Sequence, residues 1–384
     1  MKRISFILPL LAAGVLTLSG CNSGSTAGNG TLSVAMTDAP ACGFDHVYVT
    51  VDRVRVNASS TATDSSSGWH EVVLASPQKM DLLALTNGVL TQLGQTGLPA
   101  GHYEQVRLVL VPNTGGALNN SVVPTGGVEQ ALSTPSSTQS GYKVIGDFNV
   151  SADQIVDLVL DFDACHSIVQ KGNSGYALKP VVTATVQAIS GQIDGYVDTS
   201  DAGAFVFAEQ NGHIVKGTVA DSTGHFVLSP VVESSISGSY DVVMAKSGDA
   251  STIVRGVTVV ASSTTTLSTS GQPFLLAPSP EHSASGTVSP ASADATVDAL
   301  QASSGGNYVI ASTNADITTG AYSLTLPNSA PMIGDYAGTL PVALIPDTTA
   351  EGLYTVRATT ALGVSQSQNV NLLSADATGV NFLF

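Results

Sequence analysis

Val47-Tyr48-Val49-Thr50-Val51-Asp52-Arg53-Val54-Arg55-Val56 is the stretch that decides the fold. Valine recurs at every second position as far as Val51. Side chains alternate across a strand, so this period of two sorts the valines onto one face. At Asp52-Arg53 the apolar phase slips to Val54 and Val56, which predicts a β-bulge at that step. Val106, Leu108 and Leu110 repeat the pattern downstream, and Leu158, Leu160 and Phe162 repeat it again. Leu82 to Leu93 has room for a short helix, but Asn87-Gly88 and Gly94 interrupt it. Gly115 to Gln139 lacks periodicity, is rich in Gly, Ser, Thr and Pro, and reads as a long exposed loop.

Composition agrees with short strands and many turns. The chain has 384 residues, more than one hydrophobic core usually organises, so two or three domains are expected. Charged residues make up 11%, against ~25% in an ordinary globular chain. Hydrophobic residues at 43% suffice to build cores, and 38 glycines favour turns over long helices. A formal charge of −16 excludes a nucleic-acid partner, because phosphate binding needs a basic surface.

From Ile189 onward a pattern occurs twice. Gly191-Gln192-Ile193 opens one unit, followed by Phe205 to Ala208, Thr223-Gly224-His225-Phe226, and Tyr240-Asp241-Val242. Gly286-Thr287-Val288 opens the other, followed by Thr296 to Ala299, Thr319-Gly320-Ala321-Tyr322, and Tyr354-Thr355-Val356. The second copy carries an extra 18 residues between Gly320 and Tyr354. The Ser/Thr-rich run 261–270 and the two prolines within 277–282 read as a linker.

The first residues carry an address. Lys2 and Arg3 precede the apolar run Ile4 to Leu18, the layout of a secretory signal. Fifteen apolar residues fall short of the roughly 18–20 that span a bilayer. Leu18-Ser19-Gly20-Cys21 resembles the lipobox of bacterial lipoproteins, which implies a mature chain beginning at Cys21 with palmitate-class acyl chains. Asn22 stands where inner-membrane lipoproteins often carry Asp, so the resemblance favours the outer membrane. Residues 22–30 form a flexible tether. Cys42 and Cys165 remain, and in an exported chain an even pair reads as a disulfide; two buried free thiols are the alternative.

Two family resemblances follow. Gly30 to Pro40, Val47 to Val56, Leu98-Pro99-Ala100-Gly101-His102-Tyr103, Asp161-Phe162-Asp163 and Tyr176 to Val181 resemble the DUF4382 family of envelope proteins over roughly 30–190. That resemblance implies no activity and no site residues. The two later units resemble carboxypeptidase regulatory-like, transthyretin-type β-sandwiches, through Gly-x-Ile/Val, Thr-Gly-x-Phe/Tyr and Tyr-x-Val. In that family such domains are mostly non-catalytic appendages.

Candidate chemistry is sparse. Asp157, Asp161 and Asp163 share one strand face, opposite core-facing Leu158, Leu160 and Phe162. With Asp38 or Asp45 they could hold Ca²⁺, but no wrapping loop surrounds them. A solvated acidic face is therefore the expectation, and no metal is expected. Seven histidines (His46, His70, His102, His166, His213, His225, His282) show no ligand spacing and read as structural or surface groups. Ser76-Pro77-Gln78-Lys79 and Lys246-Ser247-Gly248 match penicillin-recognising motifs by coincidence, since they lie in different β-domains. Trp69 is the single tryptophan.

The sequence thus predicts an all-β chain of three tandem β-sandwich-like domains behind a lipidated, flexible tether. The divisions are a signal peptide at 1–20, a tether at 21–30, and domains at 31–190, 191–277 and 283–384. The expected function is a lipid-anchored cell-envelope module that binds or scaffolds without catalysis and uses no cofactor. Its partners would be the membrane, through the lipid, and an envelope protein or glycan. A carbohydrate-binding surface lipoprotein is the alternative, and an enzyme with a site built from distant residues is a third.

Overall fold

The computed structural model describes residues 28–39, 43–135, 140–144, 146–173, 175–179, 181–303 and 305–384. The expected signal peptide, Cys21 and Cys42 lie outside the described residues. Among the described residues the fold is all-β, with seven sheets packed around three hydrophobic cores.

The deciding stretch sits in the strand Phe44–Asn57, whose Val47, Val49, Val51, Val54 and Val56 are fully buried. The register shifts between Val51 and Arg53 against both neighbouring strands, so the bulge expected at Asp52-Arg53 is present. In the facing sheet, Asn29–Ala39 lies parallel to Ile155–Asp163 and antiparallel to Thr91–Pro99. Leu32, Val34 and Met36 meet Leu158, Leu160 and Phe162 in the first core.

Three expectations change. Leu82–Leu85 forms a single 3₁₀ turn capped by Asp81, and Thr91–Pro99 is a strand. The expected loop at 115–139 contains the strands Ser121–Pro124 and Gln130–Ser133, paired with each other and the former with Phe44–Asn57. Buried Val122 and Leu132 anchor them, and Asn120 binds Thr50 N and Val111 O through its amide. Two apolar residues and one buried amide are too few to produce periodicity; residues 136–139 lie outside the described residues. The expected linker also pairs: Thr264–Thr266 runs parallel to Gln192–Asp194, and Leu267, Phe274 and Leu276 are buried in the second core.

The repeat is real in topology. Ser190–Tyr196 lies between antiparallel His225–Val232 and parallel Thr264–Thr266; Glu281–Ser289 lies between Ala321–Pro327 and Ala377–Thr378 in the same senses. The facing sheets run His213–Val219, Phe205–Gln210, Tyr240–Ala245, Thr252–Val257 in one unit. They run Gly306–Asn314, Thr296–Ser303, Leu353–Thr359, Ser365–Asn371 in the other. Register equates Gly195, opposite Phe226, with Gly286, opposite Tyr322, so the matching openings lie four residues later in the first copy than Gly191 suggested.

Gly224 and Gly320 adopt φ of 80° and 73°. A Cβ at either would overlap a carbonyl oxygen, of Val197 or Val288 respectively, so both turns require glycine. The tyrosines of Tyr-x-Val also match: Tyr240 donates to Val232 O at 2.8 Å and Tyr354 to Pro327 O at 2.6 Å.

The extra residues of the second copy do not stay with it. Met332–Asp335 adds in parallel to Thr252–Val257 of the preceding unit, and Ile345–Pro346 adds to Met332–Asp335. The shared sheet is buried on both faces, between the second and third cores. Val206, Ala208, Val242, Met244 and Val254 face the second core, while Val243 and Ile253 face the third.

Candidate functional site

Where the three cores meet, a set of charged side chains is buried. Asp161 leaves the strand Ile155–Asp163 toward His213–Val219 of the second unit, and Lys216 Nζ meets its Oδ1 at 2.6 Å. Asp161 is 8% exposed and Lys216 is 4% exposed. The solvated acidic face expected at Asp157, Asp161 and Asp163 is therefore corrected: only Asp157 is exposed, Asp163 is half-buried, and Asp161 is buried. Alternation correctly gave the shared face, but the second unit packs on it, which strand periodicity cannot register.

Asp38 joins from the end of the neighbouring parallel strand, close enough to feel the charges of Asp161, Asp163 and Lys216. It is 1% exposed; Oδ1 accepts from Ala164 N at 3.2 Å, and Oδ2 is buried without a partner. Burial pushes the Asp38 carboxyl well up, and the charges of Asp161 and Asp163 push it further, against Lys216 and the Ala164 N–H. Asp161 is also raised, because its burial outweighs Lys216. One ammonium thus faces crowded carboxyls, and burial together with like charge disfavours the ionised form of Asp38.

A second run of polar groups joins the first core to the third. Asp163 caps the turn Ala164–Ser167, accepting from His166 N at 3.0 Å and contacting His166 Nδ1 at 2.6 Å. His166 Nε2 lies 2.8 Å from Ser312 Oγ. Ser312 donates to Asp298 Oδ1 at 2.6 Å, and Arg357 closes on Asp298 Oδ2 at 2.8 Å. Asn314 Nδ2 donates to His166 O at 2.9 Å.

Ser312, His166 and Asp163 have the contacts of a nucleophile, its base and an orienting acid. The protons run the other way. Burial pulls the His166 imidazolium down, but the charge and hydrogen bonds of Asp163 outweigh it, and the pKa stands at about 9. At neutral pH both ring nitrogens therefore donate, and Nε2–H occupies a lone pair of Ser312. The hydroxyl proton points to Asp298, whose other carboxylate oxygen is held by Arg357. This arrangement ties elements of the first and third cores together.

Further contacts complete the junction. Asn87, expected only to break a helix, accepts at Oδ1 from Val227 N and Thr218 Oγ1, both at 3.0 Å. Lys179 Nζ reaches Asp294 Oδ2 at 3.0 Å, and Asp316 Oδ2 accepts from Gly172 N at 2.7 Å.

The other sequence candidates are not brought together. Lys79 Nζ binds Leu118 O at 2.8 Å, while Lys246 lies near Asp201 in the second unit. The indole of Trp69 lies against two guanidinium groups, Arg55 at 4.5 Å and Arg107 at 4.8 Å, and its N–H donates to Thr63 O. Asp45 accepts from Gly126 N, away from Asp161. Among the described residues no group of three or more His, Cys, Asp or Glu is arranged to hold a metal ion. Lys216, Asp298, Ser312 and Asn87 were missed by sequence reasoning. Lys216 alone offered a signal, a lysine inside a strand of a chain with 13 basic residues.

No curated protein matches the chain in sequence. Among solved structures, a type II cohesin–X-dockerin complex from Acetivibrio cellulolyticus is similar at 25% identity over 23% of this chain and 58% of its own, with TM-score 0.19. The Bacillus anthracis TIE protein is similar at 10% identity over 93% of this chain and 51% of its own, with TM-score 0.18. The chain thus spans little more than half the length of either. The minor pilin of Streptococcus agalactiae is similar at 12% identity over 65% of this chain and 96% of its own, with TM-score 0.17. Residues 29–180 match the family model described as a domain of unknown function, and this span is a DUF4382 domain.

Proposed function

We propose that this chain is a lipid-anchored cell-envelope protein that acts as a non-catalytic scaffold or binding module. One observation carries the reading: the buried charged groups at the three-way junction are committed to joining the DUF4382 domain to the two units behind it. Asp161–Lys216 and the run Asp163–His166–Ser312–Asp298–Arg357 hold elements from all three cores in one relation. A protein that presents a surface at a set distance from a membrane needs such fixed relations.

The proposal includes acylation at Cys21 in the outer membrane and domains at 31–190, 191–277 and 283–384. It assigns the latter two to the carboxypeptidase regulatory-like type, supported by their shared strand order. It also includes a Cys42–Cys165 disulfide. Support comes from the parallel register of Ala39 with Asp163, which leaves each cysteine two or three residues beyond paired positions. The test is mass spectrometry of the N-terminal peptide, together with cross-linking in native envelopes. A diacylglyceryl adduct on Cys21 and a cross-linked envelope protein are expected. An unmodified N-terminus upstream of Cys21 in the exported protein overturns the anchor. Turnover of a substrate that is lost in Ser312→Ala overturns the non-catalytic reading.

A further inference from the structure

The junction between the second and third cores contains an acid that the sandwich itself does not require. Glu209, in the strand Phe205–Gln210, is 1% exposed. Its Oε2 accepts one hydrogen bond, from Val309 N of the third unit at 3.0 Å, and its Oε1 is buried with no partner. A bulge follows Ala208 in one unit and Ala299 in the other, so the equivalent position in the third unit is Leu300. Sandwich geometry therefore accepts an apolar residue there, and the acid answers to the seam.

The ionisable groups facing Glu209 come from four strands. They are Asp241 on Tyr240–Ala245, Asp298 on Thr296–Ser303, Arg357 on Leu353–Thr359, and Tyr308 on Gly306–Asn314. On the remaining neighbour, His213–Val219, apolar Ile214 stands opposite. Arg357 is the one cation of this set, and it is engaged by Asp298 Oδ2 at 2.8 Å and Gly212 O at 2.9 Å. A carboxylate at Glu209 would be a buried anion facing two others, with a single backbone N–H to hold it.

We infer that Glu209 is a proton-operated latch between the second and third units, closed as the neutral acid and loosened as the carboxylate. Burial pushes its pKa up to about 8, with Asp241 and Asp298 adding to the rise and the Val309 N–H and Arg357 opposing it. The sign follows from linkage. The ordinary value is 4.5, so the closed seam binds the proton more tightly than the open one. The latch is fully held below pH 4.5, weakens as pH rises, and is lost through about pH 8. Between those limits the open-to-closed ratio rises by up to about tenfold per pH unit.

Hydrogen exchange at the Val309 amide in the full chain, compared between wild type and Glu209→Gln, reads the latch directly. Intrinsic exchange is the same in both proteins at one pH, so their rate ratio reports opening alone. From pH 6 to pH 9 the wild-type-to-variant ratio should grow at least about tenfold. A ratio that does not change with pH overturns the latch. Carboxyl ¹³C resonances of wild type labelled at glutamate supply the check that needs no variant. A Glu209 midpoint near 8 is expected, and a midpoint near 4.5 overturns the proposal.

Discussion

The two repeated units share strand order, bulge, turn glycine and buried tyrosine, yet they distribute charge at different positions. Phe207 and Val243 pair across one sheet where Asp298 and Arg357 pair across the other. Lys216 stands opposite Ala208, whereas Ala311 stands opposite Ala299. Thr252 and Val254 are fully buried, and their counterparts Gln366 and Gln368 are exposed. The cause is what lies beside each sheet. Thr252–Val257 is covered along its edge by Met332–Asp335 and over its face by the third core. Ser365–Asn371 has Leu353–Thr359 as its strand neighbour, and its glutamines reach the carbonyls of Asn381 and Leu383. Position within the sandwich sets backbone geometry, and the neighbouring domain sets polarity.

The largest effect should come where the units differ most. Lys216→Ala places the counterpart's residue type in the second unit and strands Asp161 in a buried site. We expect a loss of about 3–5 kcal/mol in urea unfolding. Adding Asp161→Leu should recover most of that loss, since it removes the unpaired charge. A single-variant cost below about 1 kcal/mol would show that the ion pair does not set this seam.

Next in size are the matched glycines. Gly224→Ala and Gly320→Ala each force a Cβ against a carbonyl at positive φ. Each should cost at least about 2 kcal/mol by thermal unfolding. Unequal costs would break the structural equivalence of the two turns. Tyr240→Phe and Tyr354→Phe sharpen it further, because each removes the tyrosine hydroxyl that donates to the carbonyl of Val232 or Pro327. Both should lose about 1 kcal/mol. The smallest effect belongs to the open edge: Gln366→Lys should stay within about 0.5 kcal/mol. Thr252→Lys, at the buried counterpart, should cost visibly more than Gln366→Lys in the same melting experiment.

Legibility in the sequence followed the range of the forces involved. The bulge at Asp52-Arg53, the strand ending in Phe162 and the turns at Gly224 and Gly320 were readable because each is set by neighbours along the chain. The strands at 121–124 and 264–266 were not, since Asn120 and the threonines bond to residues distant in sequence. The shared face of Asp157, Asp161 and Asp163 was readable, but the burial of Asp161 depended on Lys216, 55 residues away. His166 read as a structural or surface group; the structure sets it between Asp163 and Ser312, and its partners Ser312 and Asp298 left no local signal.

By itself the sequence determined that this protein is all-β, that two of its units repeat, and where the bulge of the first domain and the turn glycines of the repeats fall. These follow from side-chain alternation, left-handed glycine conformations and apolar spacing, which act over a few residues. The tertiary structure alone decided which charges are buried and which strand completes another unit's sheet. Both outcomes depend on desolvation by segments far along the chain, and desolvation is a property of the assembled surfaces rather than of any stretch of residues.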